Sequence, residues 1–156
     1  MARIPGFDSS ARPLSEGGKM AKSESKSDRY ALIESYLAEA LVLLELQDWE
    51  ITVSREAADI TAHADIEVHD QRRTADLRIA RDFFTQSPER QRLILAHELS
   101  HVITSRLDRV MENLEEPLGK IAYAILEPNF IDATERMVEH FARLIARELP
   151  LPNFGR

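Results

Sequence analysis

Residues 93–103 read Leu-Ile-Leu-Ala-His-Glu-Leu-Ser-His-Val-Ile, two histidines four residues apart inside an apolar, helix-forming run. On a helix, residues four apart lie one above the other on the same face. His97 and His101 can therefore bring both imidazoles to one ion, at about 2.0–2.1 Å for zinc. Glu98 is one step round from His97. From there it reaches water beside such an ion without taking a ligand position, which is the arrangement that metal-assisted hydrolysis needs. The plainer alternative is two helix histidines beside a core, with a salt-bridging glutamate between them.

Working outward, Ser87-Pro88 marks the start of this helix, with Ser as the cap and Pro at the first helical position. The pattern carries it to about Met111, with Leu95, Leu99, Val102 and Val110 as the buried stripe and Ile103 beside it. Pro117 and Gly119 interrupt, a short apolar run follows at 121–126, and Pro128-Asn129 interrupt again. A last helix is predicted at about 133–149, capped by Asp132 and ended by Pro150 and Pro152. Upstream, Trp49-Ile51-Val53 alternate with polar residues, as do 65–69 and 74–80. Period-two alternation of this kind predicts three short strands. Before them, apolar residues at 30, 33, 37, 40, 41 and 44 predict a helix over 28–47. Leu32, Leu43 and Leu46 widen its apolar face, so coverage on two sides is expected.

The fold class expected is α+β: a small sheet of three or more strands packed against the His-Glu-x-x-His helix and a C-terminal helix. Residues 1–27, rich in Ser, Gly, Lys and Glu, are expected to be disordered or loosely attached. A single domain is expected over 28–150, and 151–156 is expected to be a tail.

A catalytic zinc ion needs at least one more protein ligand. The candidates are His63 and His69 before the helix, and Glu135, Glu139 and His140 after it. Glu135 is favoured. Val138, Ala142, Ile145 and Leu149 follow it on the apolar stripe of the last helix, and a carboxylate aimed at a core needs a partner. The competing role is a capping pair with Asp132. Glu139, one turn further on, is placed to accept the free N–H of a ligating histidine. Its alternative is a surface ion pair with Arg136 or Arg143.

With Glu-Arg-Met-Val-Glu-His-Phe-Ala-Arg-Leu-Ile at 135–145 following His-Glu-Leu-Ser-His, the chain resembles the Glu-ligand branch of the zincin superfamily. In particular it resembles the small phage and bacterial ImmA/IrrE-related proteins. Glu135, Phe141 and Ala142 stand at that family's spacing, while Val138 and Glu139 replace its Ala-Asn. The resemblance implies a zinc-dependent peptidase with His97, His101 and Glu135 as ligands and Glu98 as general base. It also implies Glu139 as the support of His97. Such families include enzymes that cut a repressor or regulator. Tyr123, between the motif helices, is the candidate for stabilising the oxyanion. A core tyrosine with a satisfied hydroxyl is its other reading.

The remaining composition narrows the alternatives. With 156 residues and a formal charge of −7, the chain has no general attraction to nucleic acid or to anionic membranes. Arg72, Arg73, Arg78 and Arg81 are interspersed with acids, so no basic run forms. There is no cysteine, so any metal must be held by nitrogen and oxygen. The run Ala40–Leu46 is too short to span a bilayer, and residues 1–14 contain no apolar stretch like that of a signal peptide. A cytoplasmic location is expected. The partner expected is a protein or peptide substrate, taken up by strand addition at a sheet edge. Self-association through helix 28–47 is a further expectation. The competing function is a zinc-containing but catalytically silent phage or bacterial protein with a structural or protein-binding role.

Overall fold

The computed structural model describes residues 20–54, 56, 58–59 and 61–154, with side chains from Arg29 onward. Helix α1 (Met20–Leu43) leads into strands β1 (Glu50–Ser54), β2 (Ala64–His69) and β3 (Thr74–Ile79). A 3-10 turn (Arg81–Thr85) then joins β3 to the long helices α2 (Pro88–Glu112) and α3 (Glu115–Glu148). Strand β3 lies in the middle of the sheet, parallel to β1 and antiparallel to β2. The chain crosses from β1 to the far edge and returns through a hairpin. Arg73 takes a positive φ of 54° in that hairpin, and Arg72 N–H bonds the His69 carbonyl. Strand β2 is left with one edge unpaired in the sheet.

The alternation read from the sequence is the one observed. On β3, Ala75, Leu77 and Ile79 are buried while the residues between them are partly exposed. Leu77 and Ile79 meet Ile33, Leu37 and Ala40 of α1, Leu95 and Leu99 of α2, and Ala142 and Leu149 of α3 in one core. Helix α2 begins as expected: Ser87 Oγ accepts from Arg90 N–H at 3.3 Å, and Pro88 opens the first turn. The expected α+β arrangement, a three-stranded sheet against the two motif helices, is the one found.

Several boundaries differ, each for a physical reason. Helix α1 is already helical at Met20, inside the segment expected to be loose; residues 1–19 of that segment lie outside the described residues. It also ends before the expected residue 47. Glu45 adopts a left-handed φ of 57°, with Leu46 N–H on Leu41 O and Glu45 N–H on Val42 O. That is a Schellman stop built without glycine. Its second apolar side stays open, with Leu32, Val42 and Leu43 exposed. The run from 115 to 148 is kinked at Gly119, whose φ of 72° interrupts it where an interruption was expected. The second expected interruption, at Pro128-Asn129, is absent: 120–148 is one helix with Pro128 inside it. Asn129 Nδ2 donates to the Ile125 carbonyl at 2.7 Å across the proline turn. Asp132 is consequently mid-helix and pairs with Arg136 at 3.0 Å, so it caps nothing. Val110 and Ile103, expected in or beside the buried stripe of α2, are both exposed.

Of the described residues after α3, Leu149, Pro152 and Phe154 are buried. Phe154 is buried against Tyr36 and Phe83, at ring distances of 5.6 and 5.9 Å. Tyr36 donates its hydroxyl hydrogen bond to the Pro150 carbonyl, and Arg92 donates to that of Leu149. No helix among the described residues is long and apolar enough to cross a membrane.

Candidate metal centre

The third and fourth turns of α2 carry His97, Glu98 and His101, and α3 packs alongside so that Glu135 faces the two histidines. His97 Nε2 lies 3.3 Å from His101 Nε2. Glu135 Oε2 is 3.8 Å from His97 Nε2, and Oε1 is 3.7 Å from His101 Nε2. Four donors about 2.0–2.1 Å from a tetrahedral ion sit roughly 3.3–3.4 Å apart. The three side chains therefore stand close to the spacing a zinc ion imposes, and their donor atoms all lie within 4.8 Å of one another. Two imidazoles and one carboxylate also form a donor set that zinc accepts. Among the described residues this metal-binding triad is preformed.

The electrostatics fit as well. Burial lowers the pKa of His97, helped by the neighbouring His101, while Glu135 and Glu139 pull the other way. Burial lowers that of His101 too, against the pull of Glu135. Both rings are thereby held neutral, as metal ligands must be. Glu98 is only 7% exposed. Burial pushes its carboxyl up to about 8, reinforced by the negative charges of Asp65 and Glu135. A dication held by its neighbours reverses that balance and favours the carboxylate.

The triad opens into a cleft of about 610 Å³ lined by residues of α2, α3 and the approach to β2. Glu98 and Glu139 both line it. Glu139 pairs with Arg143 at 3.4 Å, the surface ion pair expected as its alternative role. His63 reaches the cleft wall with its Nδ1 held 2.8 Å from Asp82 Oδ2. His69 lies beside Glu67 and Asp76, and His140 is exposed; neither joins the triad.

Tyr123 does not reach the cleft. It lies twelve residues before Glu135 on α3, about 18 Å along the helix axis at 1.5 Å per residue. Its hydroxyl hydrogen-bonds Glu127, and it is not among the cleft-lining residues. Its expected oxyanion role loses its basis: the helix is unbroken from Lys120 to Glu148 and carries Tyr123 away from the metal end, where a break at Pro128 would have let it fold back. Asp65 was read only as a strand residue. It accepts from Arg78 Nε and from Asp59 N–H and raises the pKa of Glu98. Its nearness depends on where β2 lies against α2, which no local sequence pattern records.

A His97/His101/Glu135 triad with Glu98 between, on a helix–sheet–helix frame, is a generic zincin-like metalloprotease arrangement. It does not single out the ImmA/IrrE-related proteins. Comparisons with protein-family models, with curated proteins and with solved structures return no match.

Proposed function

We propose that this chain is a zinc-dependent metallopeptidase that hydrolyses a peptide bond in a protein substrate. One observation carries the reading: among the described residues three protein donors, not four, converge beside an open cleft lined by His97, Glu135 and the buried Glu98. Structural zinc sites are normally closed by four protein ligands, whereas catalytic ones keep a position for water or substrate. Zinc bound there would polarise the scissile carbonyl and acidify water.

The chain's own residues supply the rest. His97 and His101, kept neutral by burial, and Glu135 hold the ion. Glu98 accepts a proton from the attacking water at its carboxylate and returns it to the departing amine. The free edge of β2, whose first residue Ala64 lines the cleft, offers backbone groups to an extended substrate chain. Glu139 steadies His97 from α3. The narrower likeness to ImmA/IrrE-related proteins, and with it a repressor or regulator as substrate, rests on the spacing of Glu135, Phe141 and Ala142.

The test is Glu98→Gln. It retains size and zinc but removes the base, so zinc content should be unchanged while cleavage falls about 100- to 10,000-fold. Protein-wide cleavage profiling of wild type against the variant, with and without chelator, reads this without a named substrate. Absence of any wild-type cut in lysate of the native host, with zinc confirmed in place, sinks the peptidase reading and leaves a silent zinc site.

A further inference from the structure

The two long helices outrun the sheet that supports them. Helix α2, with 25 residues, is about 37 Å long at 1.5 Å per residue. The strands, with 5 or 6 residues, reach only about 20 Å at 3.3 Å per residue. The metal-bearing ends of α2 and α3 lie over the body. The opposite ends, tied back to the body where Arg106 and Arg109 meet Asp70, run through Asn113 and Leu114, both in the right-handed helical region, to the kink at Gly119 and form a helical hairpin that overhangs.

The apolar stripe of α2 continues along this overhang without its cover. Ala96 and Leu99 are buried; Ile103, Leu107, Val110 and Leu114 follow on the same side of the helix and are all exposed. Their steps of four, three and four residues are those of a coiled-coil seam. On α3, residues 118–131 contain just two charges, Lys120 and Glu127. Ile121 is 82% exposed and Ile125 67% exposed. At 100° per residue they lie on the opposite side of α3 from Tyr123, Glu127 and Phe130, the less exposed face of this stretch. A helix apolar on both sides is normally buried on both.

We infer that this chain is a dimer in which the α2–α3 overhang of one copy packs on that of a second, forming a four-helix bundle. Three features favour a second copy as the occupant. Nine of the fourteen large hydrophobic residues exposed among the described residues lie in this hairpin, together offering an area on the order of the ~800 Å² each partner gives to a stable interface. A seam with heptad steps is complemented by a helix with the same steps, and a two-fold axis supplies one from the same sequence. The charges of residues 103–131, Arg106, Arg109 and Lys120 with Asp108, Glu112, Glu115, Glu116 and Glu127, are mixed in sign, so each copy offers the other charges of both signs. Helix α1 is a poorer candidate, because one of its apolar sides is packed in the core and only Leu32, Val42 and Leu43 stand exposed on the rest of it among the described residues. The overhang is the end of α3 remote from Glu135, so dimerisation leaves the cleft open and does not depend on zinc or turnover.

Sedimentation velocity of the full chain is expected to give twice the 17.8 kDa chain mass. Ile121→Glu and Ile125→Glu, made separately at positions already exposed in the single chain, are each expected to halve that mass. Zinc content and circular dichroism should stay at the wild-type values, which separates lost association from lost fold. Leu43→Glu on α1 should leave the dimer intact. A wild-type chain that sediments at 17.8 kDa, alone and when concentrated, overturns the inference. So does an assembly that survives both overhang variants, or one abolished only by Leu43→Glu.

Discussion

Glu135 is half exposed, yet it sits between two buried-face histidines with its two oxygens shared between them. Because Asp132 is committed to Arg136 within the same helix, Glu135 has no capping partner, and its substitution tests ligation directly. Glu135→Ala should weaken zinc binding by more than the roughly 10–100-fold that outer-sphere substitutions cost. Calorimetric titration of the metal-free protein measures it; unchanged affinity would move the third ligand elsewhere. A second residue-scale expectation concerns pH. Burial pushes the Tyr36 phenol up to about 12 from its ordinary 10. The folded chain therefore holds that proton more tightly than the unfolded one, so stability is full below about pH 10 and falls as pH rises towards 12. Denaturant unfolding at about pH 9 and pH 11 should show the loss in wild type and a smaller one in Tyr36→Phe. An equal loss in both would remove Tyr36 as its source. The site was legible at this scale wherever spacing along one helix decides it, as for His97, Glu98 and His101. Glu135 was legible because it continues an apolar stripe. Asp65 was not, since it approaches Glu98 from another element.

Among the elements, the sheet was the easier to read, because burial on one side of β3 writes a period of two into the sequence. Helix ends were harder. Glu45 ends α1 in a left-handed conformation that glycine usually provides, so no punctuation residue announces the stop. Glu45→Gly should raise stability by about 1 kcal/mol by relieving that strain; a thermal midpoint that fails to rise would mean the left-handed turn is not costly here. Pro128 misleads in the other direction. Proline inside a helix costs about 3 kcal/mol when nothing compensates. The packing of α3 along α2 and the Asn129 side-chain bond to Ile125 carry the helix through. The lost interruption then moved Asp132 from a cap to a surface pair and Tyr123 from the cleft to a remote turn.

At the scale of the whole chain, the C-terminal residues close the core instead of trailing from it. Phe154 fills a place between α1 and the 3-10 turn, touching Tyr36 and Phe83. Phe154→Ala should cost about 3–5 kcal/mol, the usual range for emptying a buried aromatic site. Chemical denaturation measures it, and a change below about 1 kcal/mol would show that the aromatic cluster repacks. A lone phenylalanine after two prolines carries no periodicity, which is why its burial was not foreseen. The triad also has a topological side. His101 and Glu135 belong to different helices, and the chain between them holds the end of α2, the Gly119 break and the Pro128 turn. An ion gripped by both ends ties that stretch into a ring. By the loop formula for covalent cross-links, a ring of about 35 residues removes about 4 kcal/mol of chain entropy from the unfolded ensemble. With zinc in the triad, metal and fold would be thermodynamically one system: the scarcer zinc became around this protein, the shorter the time its helical hairpin would stay zipped.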